Sequence, residues 1–286
     1  MEPGVPAPPR RQGTVLESVE EIRAQIRASP ARTVKEAAVS TQSESAVVET
    51  PMFRPTARPP MGLLHVLDDG DGAGAVVRVY AGSFVIGRVE GNLVIPHDSG
   101  MSGRHAEIVR RLEKGAWTWH LRDLGSTNGT FARASTVTLH RDQEFMIGGS
   151  LFRFEEPVAA PAVEEPAGAA NATRKWEAVP RSGLETSRPG VAPAALVEIS
   201  QGTERRRYSL TANEYWLGRD ARMSSVVVDD PYVDPRHARL YRDDKGRWIV
   251  ANERSRNGLW GRVAEIGLGR GGFFQCGEQR FLFKAL

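Results

Sequence analysis

The chain repeats itself. Asp123-Leu124-Gly125-Ser126-Thr127-Asn128-Gly129-Thr130-Phe131 matches Asn252-Glu253-Arg254-Ser255-Arg256-Asn257-Gly258-Leu259-Trp260 at an offset of 129. The same offset carries Phe145 to Phe274, Gly148 to Gly277, Phe152 to Phe281 and Phe154 to Phe283. Upstream, Gly87-Arg88 matches Gly218-Arg219 at 131, and Arg104-His105-Ala106 matches Arg236-His237-Ala238 at 132. Small changes of offset require loops of different length between equivalent elements. Two copies are too few for a solenoid, which needs at least about three, so the repeat predicts two similar units on a flexible tether.

The units are built of strands. Val76-Val77-Arg78-Val79-Tyr80, Trp117-Thr118-Trp119-His120-Leu121 and Leu151-Phe152-Arg153-Phe154 are short runs rich in β-branched and aromatic residues, separated by turn residues, and Arg280-Phe281-Leu282-Phe283 repeats the pattern late in the chain. Runs this short favour antiparallel sandwiches over helical domains. Proline marks the boundaries: of 18, nine lie in residues 1–61 and six in 156–194. Because proline removes a backbone donor and fixes φ, such segments suit extended linkers. The reading is therefore an arm over 1–61, a first domain over 62–155, an Ala/Pro/Glu-rich linker over 156–194 and a second domain over 195–286. Within the arm, Val15, Leu16, Val19, Ile22 and Ile26 recur at helical spacing, predicting a short amphipathic helix near 15–29 that needs a surface to lie on.

Composition excludes several function classes. The net charge is only +3, with 38 basic against 35 acidic side chains and no Lys/Arg block, which gives no footprint for nucleic acid. The single cysteine, Cys276, allows no intrachain disulfide, and no Cys/His cluster offers a zinc tetrad. The opening residues lack a secretory pattern and no apolar stretch is long enough to span a membrane, so a cytoplasmic location is expected. The glycine-rich stretch 267–272 lacks the lysine and hydroxyl of a phosphate loop and reads as a turn before the last hairpin. No cofactor, metal site or catalytic set is expected.

Three loops of the first copy carry the informative polar residues. Arg88 follows the Phe84-Val85-Ile86 run, Ser102 precedes Arg104-His105, and Ser126-Thr127-Asn128-Gly129 form a turn. An arginine fork, hydroxyl donors and loop amides suit a phosphate, and an asparagine, both donor and acceptor, suits a peptide main chain. His105 has no serine and aspartate at triad spacing.

The ordered combination GR…SxRH…DLGSTNGTF resembles the forkhead-associated (FHA) family, closely over 62–155 and more loosely over 195–286. The resemblance implies two β-sandwiches of about eleven strands each, whose loops at one end bind phosphothreonine peptides without catalysis. It implies that Arg88 and Ser102 bind phosphate, that Thr127 supports phosphate and peptide contacts, and that Asn128 holds the peptide main chain. Arg104, His105, Ser126 and Gly129 would support the loops. Gly103 departs from the family's usual Arg or Asn, so a side-chain contact to the peptide is lost.

In the second copy Arg219 and Asn257 persist, but Asp234 replaces the phosphate-binding serine and Arg256 the threonine. A carboxylate repels phosphate and donates nothing, so this site is expected to be degenerate, with Arg219 paired to Asp234. In the arm, Val47-Val48-Glu49-Thr50-Pro51 is similar to the phosphorylatable tail of small bacterial FHA regulators, which makes Thr50 a candidate phosphoacceptor and the phosphorylated arm a candidate ligand. The expected function is a bacterial adaptor that binds a threonine-phosphorylated protein downstream of a Ser/Thr kinase. The alternative is a phosphate-independent scaffold in a secretion or envelope-associated assembly.

Overall fold

A computed structural model describes residues 14–17, 61–67, 74–157, 193–200 and 202–286. The predicted linker and most of the arm, Thr50 included, lie outside these residues. The described chain is all strand and turn. One strand comes from the arm, β1 (Thr14–Leu16). The first copy gives β2 (Gly62–Leu67), β3 (Ala75–Val79), β4 (Ser83–Gly87), β5 (Leu93–Val94), β6 (Ala106–Glu113), β7 (Ala116–Asp123), β8 (Thr130–Leu139), β9 (Glu144–Ile147) and β10 (Ser150–Glu155). The second gives β11 (Ala195–Ser200), β12 (Thr203–Ser209), β13 (Glu214–Gly218), β14 (Val226–Val227), β15 (Ala238–Arg242), β16 (Trp248–Asn252), β17 (Leu259–Val263), β18 (Glu265–Gly267), β19 (Gly271–Cys276) and β20 (Gln279–Ala285). Each copy falls a little short of eleven strands because the segments between β5 and β6 and between β14 and β15 are turns.

The two copies exchange their last hairpins. β20 pairs with β2 of the first copy, Leu63 opposite Lys284 and Leu64 opposite Phe283, while β10 pairs with β11 of the second, Glu155 opposite Ala195. The cores follow the pairing. Phe274, Cys276, Phe281 and Phe283 are buried with Ile86, Ile108 and Leu121 of the first copy. Phe145, Ile147, Phe152 and Phe154 are buried with Leu217, Leu240 and Val250 of the second. Each sandwich therefore takes its closing hairpin from the other copy.

The crossing strands explain the exchange. To close on its own copy, the chain would have to turn back soon after Thr130. Instead Phe131-Ala132-Arg133-Ala134-Ser135-Thr136-Val137-Thr138-Leu139 holds no glycine, proline or asparagine and is rich in residues that suit extended backbone. β8 runs as one unbroken strand of ten residues. Its first half pairs with β19 and its second with β16. β17 makes the reciprocal crossing, antiparallel to β8 with Ala132 opposite Gly261, two residues related by the repeat offset of 129. A pseudo-twofold axis therefore passes through this pair.

The arm corrects the helical expectation where it is described. Thr14–Leu16 form a strand, paired antiparallel to Ala134–Val137 of β8, because that open strand edge supplies ladder partners an isolated helix turn lacks. Residues 18–29 lie outside the described part. The next residue, Glu17, is buried. Its carboxylate takes a hydrogen bond from Arg133 Nε at 2.8 Å and one from the Asn252 side chain, so the arm is tied to both copies.

The exchange predicts how Cys276 behaves. Burial pushes its thiol far above the usual range, and most of the core it joins belongs to the first copy. In the full chain it should resist a thiol reagent for hours. Segment 195–286 alone lacks that core, so Cys276 there should label within minutes, as read by mass spectrometry.

Candidate functional site

Two glycines let the loops meet. A Cβ on Gly87 would overlap the carbonyl oxygen of Gly103, and one on Gly218 would overlap that of Pro235. The bare backbone lets Arg88 N donate to Ser102 O at 2.9 Å, while Val89 N and Glu90 N donate to Gly103 O. Arg88 and Ser102, from separate loops, therefore lie side by side at one end of the first sandwich. Arg88 is exposed, and its Nε donates to the Met101 carbonyl at 3.1 Å, which leaves the two Nη groups at the tip of the fork to face outward.

The third loop closes on the second. Thr127 N donates to Ser102 Oγ at 3.0 Å, and Asn128 Nδ2 donates to Gly100 O at 2.8 Å. Gly129 sits at φ 84°, a left-handed conformation that favours glycine, and a Cβ there would strike the Arg262 guanidinium of the other copy. Arg104 is exposed and reaches Glu90 at 3.7 Å. Gly103 has room for a side chain, with Val89 3.9 Å from where its Cβ would lie.

His105 and Asp123 hold the loops from beneath. The fully buried His105 accepts from Ser102 N through Nδ1 at 3.0 Å, so its Nε2–H must donate to Gly129 O at 3.1 Å. This requires the neutral ring. Burial pushes its pKa below the ordinary 6.5, outweighing the opposing pull of the Gly129 carbonyl and of Asp123 and Asp98. Burial alone would raise the Asp123 carboxyl, but the hydroxyls of Ser126 and Thr130 and the amides of Ser126 and Gly125 hold it below the usual range. Ser126 Oγ in turn accepts from Gly129 N at 3.1 Å.

Sequence reasoning missed Asp98. It is buried, caps its own loop through Gly100 N at 2.9 Å, and accepts Glu278 N at 2.9 Å and Gln279 N at 3.2 Å from the β19–β20 turn. The loop that carries Ser102 is therefore braced by the second copy. Asp230 does the same in reverse, accepting Gly149 N at 2.7 Å and Ser150 Oγ at 3.1 Å from the β9–β10 turn. The repeat held the signal: Asp98 and Asp230 are equivalent at offset 132.

The second copy reproduces the frame with different chemistry. His237 Nδ1 accepts from Asp234 N at 3.1 Å, and Asn257 Nδ2 donates to Tyr232 O at 2.6 Å. The Asp234 carboxylate stands where Ser102 Oγ stands and accepts Arg256 N at 2.8 Å. The expected Arg219–Asp234 ion pair does not form among the described residues. The Arg219 amide donates to the Asp234 carbonyl, and its side chain lines a cleft of about 480 Å³ beside Arg206, Asp229 and Pro231. The Asp234 carboxylate is spent on the 256 amide instead.

Comparison with known proteins gives the class. The FHA domain family matches residues 84–148 and 215–266, two stretches in tandem that between them hold both sets of site loops. Among solved structures, full-length yeast Pml1p is 23% identical over 24% of this chain and 53% of that one, with a TM-score of 0.22. A structure from work on phosphothreonine-dependent FHA domain interactions is 38% identical over 24% of this chain and 65% of that one, TM-score 0.19. EmbR of Mycobacterium tuberculosis in complex with a low-affinity phosphopeptide is 26% identical over 33% of this chain and 24% of that one, TM-score 0.20. The chain thus spans less than two thirds of each of these relatives. No curated protein matches. Among the described residues, no helix is long and apolar enough to cross a membrane.

The histidines set a pH dependence. Burial lowers the pKa of His105 and of His237 alike, so around and below pH 6.5 the unfolded chain binds more protons than the folded one. The stability they contribute is complete above 6.5 and is lost as pH falls through the folded values. Thermal unfolding from pH 7.5 to 5.5 should show a falling midpoint. His105→Gln should roughly halve that slope, because His237 still titrates; an unaltered slope would contradict the neutral-ring assignment.

Proposed function

We propose that the first copy binds a phosphorylated threonine on a partner protein, and that the chain acts as a non-enzymatic adaptor downstream of a Ser/Thr kinase. The observation that carries this reading is the backbone hydrogen bond that sets Arg88 beside Ser102, from separate loops. Because Arg88 Nε is anchored to Met101 O, the Nη pair is oriented as a fork suited to phosphate oxygens. Ser102 Oγ already accepts the 127 amide, so its own proton is free to donate to a ligand. Asn128, with its nitrogen on Gly100 O, offers its carbonyl oxygen to a peptide N–H, and the Thr127 hydroxyl is exposed beside it. The two FHA-domain matches and the phosphothreonine and phosphopeptide relatives support the same chemistry.

The second copy, by the same argument, does not take phosphothreonine. The Asp234 carboxylate meets a phosphate with like charge, and each such contact disfavours binding. What the second copy supplies is the β19–β20 hairpin that closes the first sandwich and braces the Asp98 loop. The arm and Thr50 keep the role of a candidate intramolecular ligand, tested by kinase treatment of the chain beside Thr50→Ala.

Titration of the full chain with a phosphothreonine peptide library tests the reading. Arg88→Ala should weaken binding roughly 10- to 100-fold with an unchanged thermal midpoint, since charge-assisted hydrogen bonds contribute about 1.5–3 kcal/mol. Arg219→Ala should leave affinity as it was. Partner binding that survives phosphatase treatment would favour the scaffold reading instead. Asp98→Ala should weaken phosphopeptide binding several-fold although Asp98 is buried away from the ligand, because the Ser102 loop then loses its brace from the second copy.

A further inference from the structure

A cleft of about 490 Å³ opens from Thr127 and Asn128 and runs over ground belonging to both copies. This is within the ~300–1,000 Å³ range of clefts that hold ligands. Its floor is a row of apolar side chains across three adjacent strands. Met146 on β9 lies opposite Leu151 on β10, and Leu151 lies opposite Ile199 on β11. Their chain neighbours Phe145 and Phe152 are buried in the core, so by strand alternation Met146 and Leu151 face outward; Ile199, paired with Leu151, shares that face, and each of the three is partly exposed. The row exists because β10 has crossed to pair with β11; without the exchange, Ile199 would not lie beside Leu151.

The charges along this cleft are already matched. Arg262 Nη1 reaches Glu144 at 2.7 Å, and Arg153 reaches Glu155 at 3.4 Å. A charged side chain entering the cleft would find its counterions engaged, whereas an apolar one would cover the Met146–Leu151–Ile199 row and gain from the area removed from water. The cleft is continuous with the phosphate site, since Thr127 and Asn128 line both. Its occupant is therefore the partner's chain next to its modified threonine.

We infer that the partner segment flanking the phosphothreonine lies in this cleft and places an apolar side chain on the Met146–Leu151–Ile199 row, so that sequence preference at the first site is set in part by the second copy. The inference rests on the phosphothreonine reading of Arg88 and Ser102, and its test separates the two. A degenerate phosphothreonine peptide library is selected on the full chain and on Ile199→Glu, Leu151→Glu and Arg88→Ala. The native chain should enrich apolar residues at one flanking position. Either Glu substitution should abolish that enrichment and weaken the selected peptide roughly tenfold, while binding stays phosphate-dependent. Both altered positions are on the outward face, and an unchanged thermal midpoint verifies folding. Unchanged enrichment in both Glu variants, with binding lost in Arg88→Ala, overturns the cleft assignment alone. Binding retained in Arg88→Ala overturns the phosphate reading beneath it.

Discussion

The pairing of β8 with β17 is the constraint on which the molecule depends. Two equivalent strands run antiparallel through one another at Ala132 and Gly261, and each carries its chain out of one sandwich and into the other. Once that crossing is made, neither hairpin can return to its own copy. Phe281 and Phe283 must fill the first core, and Phe152 and Phe154 the second. Exchange of an identical element between like units is a known route to dimers. Here the two units are covalently joined, so the exchange is intramolecular and the two sandwiches form one body. Arg133 and Arg262 reinforce the crossing, since each lies against the loop glycine of the other copy, Gly258 and Gly129.

This arrangement links the second copy's fate to the first copy's site. On two independent sandwiches, a second copy with Asp234 at the serine position could be removed without touching the first site. In this fold it cannot, because Asp98 draws two amides from the β19–β20 turn and β2 draws its ladder partner from β20. The second copy keeps its buried histidine and its turn asparagine for the same structural reason: His237 and Asn257 still close loops around Asp234. Its frame is retained although Asp234 stands where the first copy has Ser102. The arm adds an asymmetric element, since β1 occupies the edge of β8 and the Glu17 carboxylate joins Arg133 of one copy to Asn252 of the other.

Much of this was legible in the residues. The repeat, the all-β class and the three loops of the site follow from periodicity, proline placement and the order of Arg88, Ser102 and Thr127-Asn128. What could not be read was which hairpin closes which sandwich. Phe152 and Phe281 are equivalent, as are Phe154 and Phe283, so the apolar pattern of β10 fits either core as well as that of β20 does. A pattern shared by both copies cannot say to which one a strand belongs. The stretch Phe131–Leu139 holds no glycine, proline, asparagine or aspartate, but nothing in it says which sandwich the chain enters next. Val15 and Leu16 misled for a related reason: their helical spacing with Val19, Ile22 and Ile26 is real, but an open strand edge on β8 satisfied residues 14–16 first.

Cross-strand cysteine pairs test the exchange most directly. Leu63 lies opposite Lys284, while the first copy's own equivalent of Lys284 is Glu155, 129 residues earlier. In the full chain, Leu63→Cys with Lys284→Cys should form an intrachain disulfide under mild oxidation, and Leu63→Cys with Glu155→Cys should not. Ready closure of the 63–155 pair, with the 63–284 pair left reduced, would mean that each copy keeps its own hairpin, and the crossing described here would be wrong.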